Sequence, residues 1–150
     1  MLIRPVHPAD SHEWLRMRMA LWPDSTPEKE LGEIRQFFNS PPLPPLPELL
    51  VAFVAVRPDG GLCGLAEGSI HSAAPGCITN QIGYLEAWYV DPDCRRLGLG
   101  AQLAAAIEDW ARTQGCTEMA SDTTPSYPLS PAAHAAVGYT EVERYFRKEI

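Results

Sequence analysis

Basic residues are scarce in this 150-residue sequence, in which 12 lysines and arginines stand against 19 aspartates and glutamates for a formal net charge of −7. Such a chain has no general basic face to neutralise phosphates, which argues against non-specific nucleic-acid binding. An acidic surface attracts cationic substrates, although mild acidity is also a common solubility trait. The length and the 45% hydrophobic content predict a single globular domain over residues 1–150.

Long apolar runs and paired cysteines are also missing. No run approaches the ~20 apolar residues that a membrane-spanning helix requires, and the first residues are polar, so we expect neither a span nor a signal peptide. The cysteines contain no Cys-x-x-Cys pair and lie at positions 63, 77, 94 and 116. This spacing is neither a zinc pattern nor a disulfide-dense scaffold, so we expect a cytoplasmic protein with reduced cysteines and no metal.

Proline and polar residues divide the first third of the chain. LIRPV at 2–6 predicts a short strand, and Asp10 followed by Glu13 has the spacing of a helix capping box. A second helix is predicted from Pro27, which suits the first turn of a helix. Five prolines lie within residues 40–48, and they predict a stiff surface loop because proline interrupts both helices and central strands.

The remainder of the chain predicts strands that alternate with two helices. Apolar or alternating runs predict strands at 49–56, 62–71, 81–90, 116–122 and 140–150. PDGG at 58–61 is typical of a hairpin turn. Apolar residues recur every three or four positions from Leu99 to Trp110, which predicts an amphipathic helix ending near Gly115. A short helix is predicted to end at Gly138.

The stretch DPDCRRLGLG at 91–100 places two arginines and two glycines where the longer helix begins. Glycine costs a helix about 1 kcal/mol relative to alanine, so its presence here needs a reason. A helix start has unpaired N–H groups and partial positive charge, and glycines let a phosphate approach those groups. These residues alone leave two interpretations open, a phosphate-binding loop or a loop that needs glycine only to turn.

The order of elements around this stretch resembles the GCN5-related N-acetyltransferase (GNAT) superfamily. Its pyrophosphate motif, Gln/Arg-x-x-Gly-x-Gly/Ala, is matched by Arg95, Gly98 and Gly100 after a predicted strand. A dinucleotide-binding fold is disfavoured, because the third glycine, the βαβ setting and the downstream acid are missing. The resemblance implies a mixed α/β fold, in which a mostly antiparallel twisted sheet is flanked by helices and a splayed pair of central strands binds acetyl-CoA.

Four motifs resemble the aminoglycoside 6′-N-acetyltransferases more closely, and they occur in the same order along the chain. They are LWPDS at 21–25, GYLEAWYVDP at 83–92, CTEMASD at 116–122 and GYTEVER at 138–144. The resemblance implies that the amine of an aminoglycoside attacks acetyl-CoA directly and is acetylated at the 6′ position, which confers antibiotic resistance. It also implies a homodimer with no nucleic-acid or membrane partner.

The resemblance places the acetyl-CoA contacts on the strand end and the glycine loop, largely through their backbone N–H groups. The implied contacts are Trp88, Tyr89, Val90, Arg95, Arg96, Leu97, Gly98, Leu99, Gly100, Ala101 and Tyr127. Tyr127 departs from the family pattern, because an asparagine commonly contacts the pantetheine amide there. His134 stands where many members have a tyrosine that protonates the leaving thiolate. A thiolate with a pKa of about 8.5 leaves with little help, so His134 need not be catalytic.

Two carboxylates are the candidate catalytic residues, because an ammonium must lose a proton before it attacks a thioester. Glu86 is the only charge in GYLEAWYV, where an unpartnered acid is costly unless it faces solvent. Asp122 lies at a Ser-Asp-Thr turn, so a capping role is the alternative. The resemblance implies that both bind aminoglycoside amines and relay the proton through water. It adds Trp22, Asp24 and Glu143 as substrate contacts, with core packing as the alternative for Trp22.

Two other functions remain open from the sequence. One is an acetyltransferase of the same fold that acts on a polyamine, a peptide or a small-metabolite amine. The other is a non-catalytic acyl-CoA sensor, which would need the glycines but neither carboxylate. The segment HSAAPGCITN at 71–80 lacks a tyrosine that the resembling enzymes often place beside the drug, so the sequence leaves the drug profile open.

Overall fold

The computed structural model describes residues 1–39 and 50–150, so the predicted proline-rich loop at 40–48 lies outside the described residues. In the described part, five strands form one sheet in the order β1-β2-β3-β4-β5. They are β1 (Leu2–Pro5), β2 (Val51–Val56), β3 (Leu62–His71), β4 (Ile82–Val90) and β5 (Met119–Ser121). Strands β1 to β4 pair antiparallel and β5 pairs parallel with β4, which confirms the predicted mixed, mostly antiparallel sheet.

Helices lie on both faces of this sheet. In the described residues they are α1 (Ser11–Leu21), α2 (Pro27–Asn39), α3 (Leu99–Thr113) and α4 (Ser130–Ala136). Successive strand residues point to opposite faces, and Val54 and Leu65 pack against α1 and α2 while Ala55 and Ala66 pack against α3. None of the helices described is long and apolar enough to cross a membrane.

The last two strands pair only at one end. The β4–β5 ladder runs from Gly83 opposite Met119 to Leu85 opposite Ser121, after which β5 ends. Strand β4 continues to Val90, so residues 86–90 have no β5 neighbour in the described structure. This is the splay expected from the resemblance, and it opens the sheet beside the second half of β4.

The predicted capping box at Asp10 and Glu13 is wrong. The Asp10 carboxylate accepts hydrogen bonds from the Arg4 guanidinium at 2.6 and 2.9 Å and from the His7 N–H at 2.8 Å. It makes no side-chain cap to α1 and closes the short turn Pro8–Asp10 instead. An arginine on β1 therefore competes successfully for this carboxylate, and the hydrogen bond from Arg4 holds the pKa of Asp10 below its usual value.

The predicted strand at 140–150 is also wrong, since this segment has no strand structure and every residue in it is exposed. Tyr145 and Phe146 are 82% and 90% exposed. Val142 lies against the loop at Gly76, where an added Cβ would come within 2.8 Å of its Cγ1. A strand needs a hydrogen-bonded neighbour as well as a favourable pattern, and the described part of the chain provides none for this segment.

Candidate active site

Glu86 lies at a β-bulge in the middle of β4. Glu67 pairs with Ala87 and Gly68 pairs with Leu85, so Glu86 has no opposite residue on β3. A bulge of this kind redirects a side chain and often lies next to an active site. Here the Glu86 carboxylate meets two β3 side chains. The Ser69 hydroxyl donates to Oε1, and His71 Nε2 lies 2.6 Å from the same oxygen.

Asp122 directly follows β5 and is joined to β4 by a hydrogen bond. The Tyr84 hydroxyl donates to Asp122 Oδ1 at 2.7 Å. Burial and this hydrogen bond raise the pKa of Tyr84, so the phenol remains a proton donor at neutral pH. The His71 ring stacks on Tyr84 with centroids 4.0 Å apart and an interplanar angle of 11°. The two predicted catalytic carboxylates are therefore linked by one pair of stacked rings.

We call this group the acidic network, and it consists of Ser69, His71, Tyr84, Glu86 and Asp122. Its carboxylates have no arginine or lysine partner among residues 1–39 and 50–150, since His71 is the only cation-forming side chain within ion-pair distance of either. The Glu86 side chain is 32% exposed and Asp122 is an exposed residue. Exposed carboxylates that no arginine or lysine neutralises can attract a cationic ligand.

The other side chains predicted to contact the aminoglycoside lie outside the acidic network. Trp22 and Asp24 line a cavity of about 540 Å³ between α1 and α2, and the Trp22 ring lies 5.0 Å from the Arg18 guanidinium. Glu143 belongs to the exposed C-terminal segment, where its carboxylate accepts a hydrogen bond from Tyr145 at 2.7 Å. The structure therefore joins Glu86 and Asp122 in one network, of which the other three predicted substrate contacts are not members.

The glycine loop presents an uncapped helix start. Gly98 precedes α3 in a left-handed conformation with a φ of 79°, and no described side chain caps the helix there. A Cβ added at Gly98 would meet only Gln102 Nε2, at 3.8 Å, so the space above it is open. Free N–H groups at a helix N-terminus suit a phosphate. The loop therefore fits the diphosphate of coenzyme A.

Gly100 has a different reason to be glycine. A Cβ there would lie 3.3 Å from the Trp88 ring, and the Trp88 indole donates a hydrogen bond to the Gly100 carbonyl at 2.9 Å. Arg95 Nε also donates to the Val90 carbonyl at 2.9 Å. These contacts fasten the loop to the end of β4. The sequence left two interpretations of these glycines open, and they apply to different residues. Gly98 leaves room for a phosphate to approach, and Gly100 allows the loop to pack closely against Trp88.

The remaining predicted acetyl-CoA residues divide by exposure and packing. Arg96, Leu97 and Ala101 are exposed, and Leu99 is buried. Trp88 and Val90 pack on the α3 side of the sheet and Tyr89 on the other side, and all three side chains are partly buried. The Tyr127 hydroxyl donates to the Leu21 carbonyl at 2.7 Å, which ties the segment after β5 to the end of α1.

His134 is held at the open end of the β4–β5 pair. Its Nε2 lies 2.9 Å from Ser121 Oγ and its Nδ1 lies 2.8 Å from the Ser130 carbonyl. Its ring also packs edge-on against Trp88, with centroids 5.3 Å apart. These contacts place His134 between α4, β5 and the second half of β4.

Sequence reasoning missed Ser69, His71 and Tyr84. The available signal was the period of two in the run GSIH, which places Ser69 and His71 on one face of a strand. That period does not say which strand lies beside them. The bulge that brings Glu86 to both side chains is a property of the β3–β4 pairing, which only the fold reveals.

Comparisons with known proteins agree with this geometry. The sequence model of the Acetyltransferase (GNAT) family matches residues 11–139. An aminoglycoside N(6′)-acetyltransferase type 1 from Klebsiella aerogenes is 45% identical over 151 residues, covering 99% of this chain and 97% of the relative. The solved structure of aminoglycoside N-acetyltransferase AAC(6′)-Iy in complex with CoA has a TM-score of 0.84 at 32% identity, over 99% and 95% of the two chains. AAC(6′)-Iy has also been solved with the bisubstrate analogue CoA-S-monomethyl-acetylneamine, with a TM-score of 0.84, 32% identity and 99% and 98% coverage.

Proposed function

The chain belongs to the acetyltransferase (GNAT) family, and from that premise we propose that it is an acetyl-CoA-dependent aminoglycoside 6′-N-acetyltransferase that confers antibiotic resistance. The observation that carries the proposal is the joining of Glu86 and Asp122 in one network, in which no arginine or lysine of the described residues neutralises either carboxylate. Glu86 belongs to β4, the strand whose second half is opened by the splay. The 45% identity to an enzyme of this name supports the same substrate class.

The cosubstrate of the proposed reaction is acetyl-CoA, which supplies an acetyl thioester when bound. The uncapped start of α3 around Gly98 is the candidate site for its diphosphate. The backbone of residues 88–90, which has no β5 neighbour in the described structure, is the candidate site for the pantetheine arm. Backbone donors at such a strand end would also stabilise the oxyanion that develops on the thioester carbonyl.

The proposed reaction is a direct transfer. The 6′-amine, once its ammonium form has lost a proton, forms a bond to the thioester carbonyl carbon and the carbon–sulfur bond breaks. The nitrogen loses a second proton as the amide forms, and the thiolate of coenzyme A takes up that proton. Glu86 and Asp122 would hold the ammonium groups of the drug and accept the released proton through water. Fixing a polycation by two carboxylates positions one amine at the thioester, which contributes a large part of bimolecular catalysis.

We further propose that the protein acts as a cytoplasmic homodimer of single-domain chains. All four cysteines are free, as expected in a reducing compartment. The C-terminal segment has a strand-like sequence and exposed apolar side chains, which suits pairing with a second copy. Such pairing would also explain why Glu143 lies away from the acidic network within one chain.

The regiochemistry of the product tests the proposed function. We expect kanamycin-type drugs with a 6′-amine to release coenzyme A thiol, and NMR of the product to place the acetyl group on that amine. The matched analogues that carry a 6′-hydroxyl should be turned over at least about 100-fold more slowly, because the reacting nucleophile is absent. Acetylation of another ring amine, or faster turnover of polyamines, would contradict the proposed substrate.

A substitution in the glycine loop tests the cosubstrate site separately. Gly98→Asp places a side chain and a negative charge in the open space above α3, so we expect the KM for acetyl-CoA to rise about tenfold or more. Gly60→Asp is the matched control, because Gly60 also has a positive φ and open surroundings but lies in the β2–β3 turn. Equal KM values for the two folded variants would argue against a diphosphate site at Gly98.

A further inference from the structure

We infer that His71 is a positioning residue that holds Glu86 directly and Asp122 indirectly, so that one oxygen of each carboxylate is left for an ammonium group of the substrate. This inference deepens the proposed function and rests on it. Neither the sequence motifs nor the family match singled out His71. It follows from which carboxylate oxygens have a hydrogen-bond partner in the acidic network and which do not.

The unused atoms form a consistent pattern. Ser69 and His71 both contact Oε1 of Glu86, and Oε2 has no hydrogen-bond partner in residues 1–39 and 50–150. Tyr84 donates to Oδ1 of Asp122, and Oδ2 likewise has no partner in that part of the chain. Each carboxylate is thus fixed through one oxygen, and its other oxygen is available to accept a hydrogen bond from a cation.

Glu86 needs such fixing because strand pairing does not provide it. It is the residue that the β3–β4 register skips, and its side chain is about one-third exposed at 32%. An exposed glutamate has many rotamers, and ordering it only when substrate binds would reduce affinity. The contact of His71 Nε2 at 2.6 Å selects one orientation before the substrate arrives.

His71 also acts on the second carboxylate through its ring. It stacks on Tyr84 at a centroid distance of 4.0 Å, and Tyr84 in turn donates to Asp122 at 2.7 Å. Losing the stacking partner frees the phenol to move, and the hydrogen bond to Asp122 then becomes less well directed. A single histidine therefore supports two carboxylates that come from different strands.

A purely structural role for His71 predicts that replacing it lowers the stability of the folded protein, whereas a positioning role does not. The His71 side chain is 38% exposed, and exposed ion pairs contribute little to folding stability. Replacing His71 should therefore leave the unfolding midpoint nearly unchanged while it alters kinetics toward the amine. His71 contacts Glu86 and Tyr84, and neither belongs to the loop around Gly98 that we propose for acetyl-CoA, so the KM for acetyl-CoA should also be unchanged.

Two variants separate the hydrogen bond from the stacking. His71→Phe keeps an aromatic ring on Tyr84 but cannot bind Glu86, and His71→Gln keeps a donor for Glu86 but loses the ring. With a kanamycin-type substrate, we expect His71→Phe to lower kcat/KM about tenfold, mainly through the aminoglycoside KM, and His71→Gln to lower it about threefold. Both variants should keep the KM for acetyl-CoA within about twofold of the wild-type value.

Double-variant cycles then identify the residue through which each effect acts. In a Glu86→Gln background, His71→Phe should cost less than about twofold, because the side chain that it positions is no longer charged. In an Asp122→Asn background, the loss from His71→Gln should shrink in the same way. The inference would be overturned if the His71 substitutions lowered kcat/KM as much in both backgrounds as in the wild type. It would also be overturned if the loss of kcat/KM were accompanied by a lowered unfolding midpoint.

The wild-type protein separates this inference from the proposed function. If the wild type acetylates no aminoglycoside, the proposed function fails and the inference fails with it. If the wild type acetylates kanamycin-type drugs and His71→Phe does so equally well, the proposed function stands and the inference alone is overturned. If His71→Phe is active but slower than the wild type, the double-variant cycles decide whether the loss acts through Glu86 and Asp122.

Discussion

Asp91 and Glu86 lie in the same region of the chain, just after β4 and within it, yet their carboxylates are held in opposite ways. Both oxygens of Asp91 bind arginine, Oδ1 to Arg16 at 2.9 Å and Oδ2 to Arg16 and Arg57 at 3.1 and 3.0 Å. Glu86 is held through one oxygen by uncharged or weakly basic donors. Asp91 is buried, whereas Glu86 is partly exposed.

The difference separates a structural acid from an acid available to a ligand. Burial alone would raise the pKa of Asp91, but hydrogen bonds from Arg16 and Arg57 outweigh burial and hold that pKa below its usual value. The arginines neutralise the carboxylate and satisfy its acceptors, so nothing remains to bind a cation. Glu86 and Asp122 have no such partner in the described structure, and their charge remains available to an ammonium.

Glu67 is a third, intermediate case, on β3 beneath helix α1. It is fully buried, accepts a hydrogen bond from the Trp14 indole at 2.6 Å and lies 3.4 Å from Arg18 Nε. Burial raises the pKa of Glu67 to about 7 despite the attraction of Arg18, which the carboxylates of Glu30 and Glu33 also share. One arginine shared among three acids neutralises them incompletely.

The largest expected effect is loss of activity when the available acids lose their charge. We expect Glu86→Gln and Asp122→Asn each to lower kcat/KM for a kanamycin-type substrate about 100-fold, since a hydrogen bond to a charged group is worth about 1.5–3 kcal/mol. Calorimetry should show weaker aminoglycoside binding with acetyl-CoA binding retained. The control is Asp109→Asn, which changes an exposed acid on α3 whose ion-pair partner in the described structure is Arg112. Equal losses of affinity for both ligands would break the comparison.

The second-largest expected effect is a loss of folding stability when Asp91, which binds two arginines, is replaced. Asp91→Asn removes the buried carboxylate that Arg16 and Arg57 share. The more exposed Glu13 and Asp93 remain as their partners, so we expect the free energy of unfolding to fall by about 2 kcal/mol. Urea unfolding at neutral pH measures this, with Asp109→Asn again as the control that should change by less than about 0.5 kcal/mol. A similar destabilisation in Glu86→Gln would show that the two acids do not differ as described.

The smallest effect is a pH dependence at Glu67. Its pKa is about 7 in the folded state against 4.5 for the free side chain, so the folded protein binds this proton more tightly. The contribution of Glu67 to stability is therefore complete below about pH 4.5 and is lost as the pH rises through about 7. Glu67→Gln keeps an acceptor for Trp14 and cannot ionise. We expect it to stabilise the protein by about 1–2 kcal/mol at about pH 8, and by much less at about pH 5, in urea titrations. A pH-independent difference would contradict this assignment.

Much of the local structure was predictable, because its causes lie within a few residues along the chain. The apolar spacing after Leu99 and the left-handed glycine at 115, with a φ of 86°, account for α3 and its end. The turn at 58–61 joins two antiparallel strands as its sequence indicated. Glu86 and Asp122 were also identifiable as candidates, the first from its isolation in an apolar strand.

Two predictions were wrong for one physical reason. The carboxylate of Asp10 had a suitable position for a cap, and the segment 140–150 had a suitable pattern for a strand. Asp10 instead binds Arg4 on β1, and the C-terminal segment has no strand beside it in the described structure. In both cases the outcome depended on a partner from another element, which local propensity does not contain.

The sequence by itself therefore determined most of the helices and strands, the family and the identity of the two candidate carboxylates, because residue types and short spacings carry that information. Tertiary structure alone decided which acids are neutralised by arginine and which are not. The register of β3 against β4 leaves Glu86 at the bulge, beside Ser69 and His71. The short parallel pairing of β5 brings Asp122 to Tyr84. Hydrogen bonds between side chains act over about 3 Å, and only the folded chain brings residues from separate strands that close.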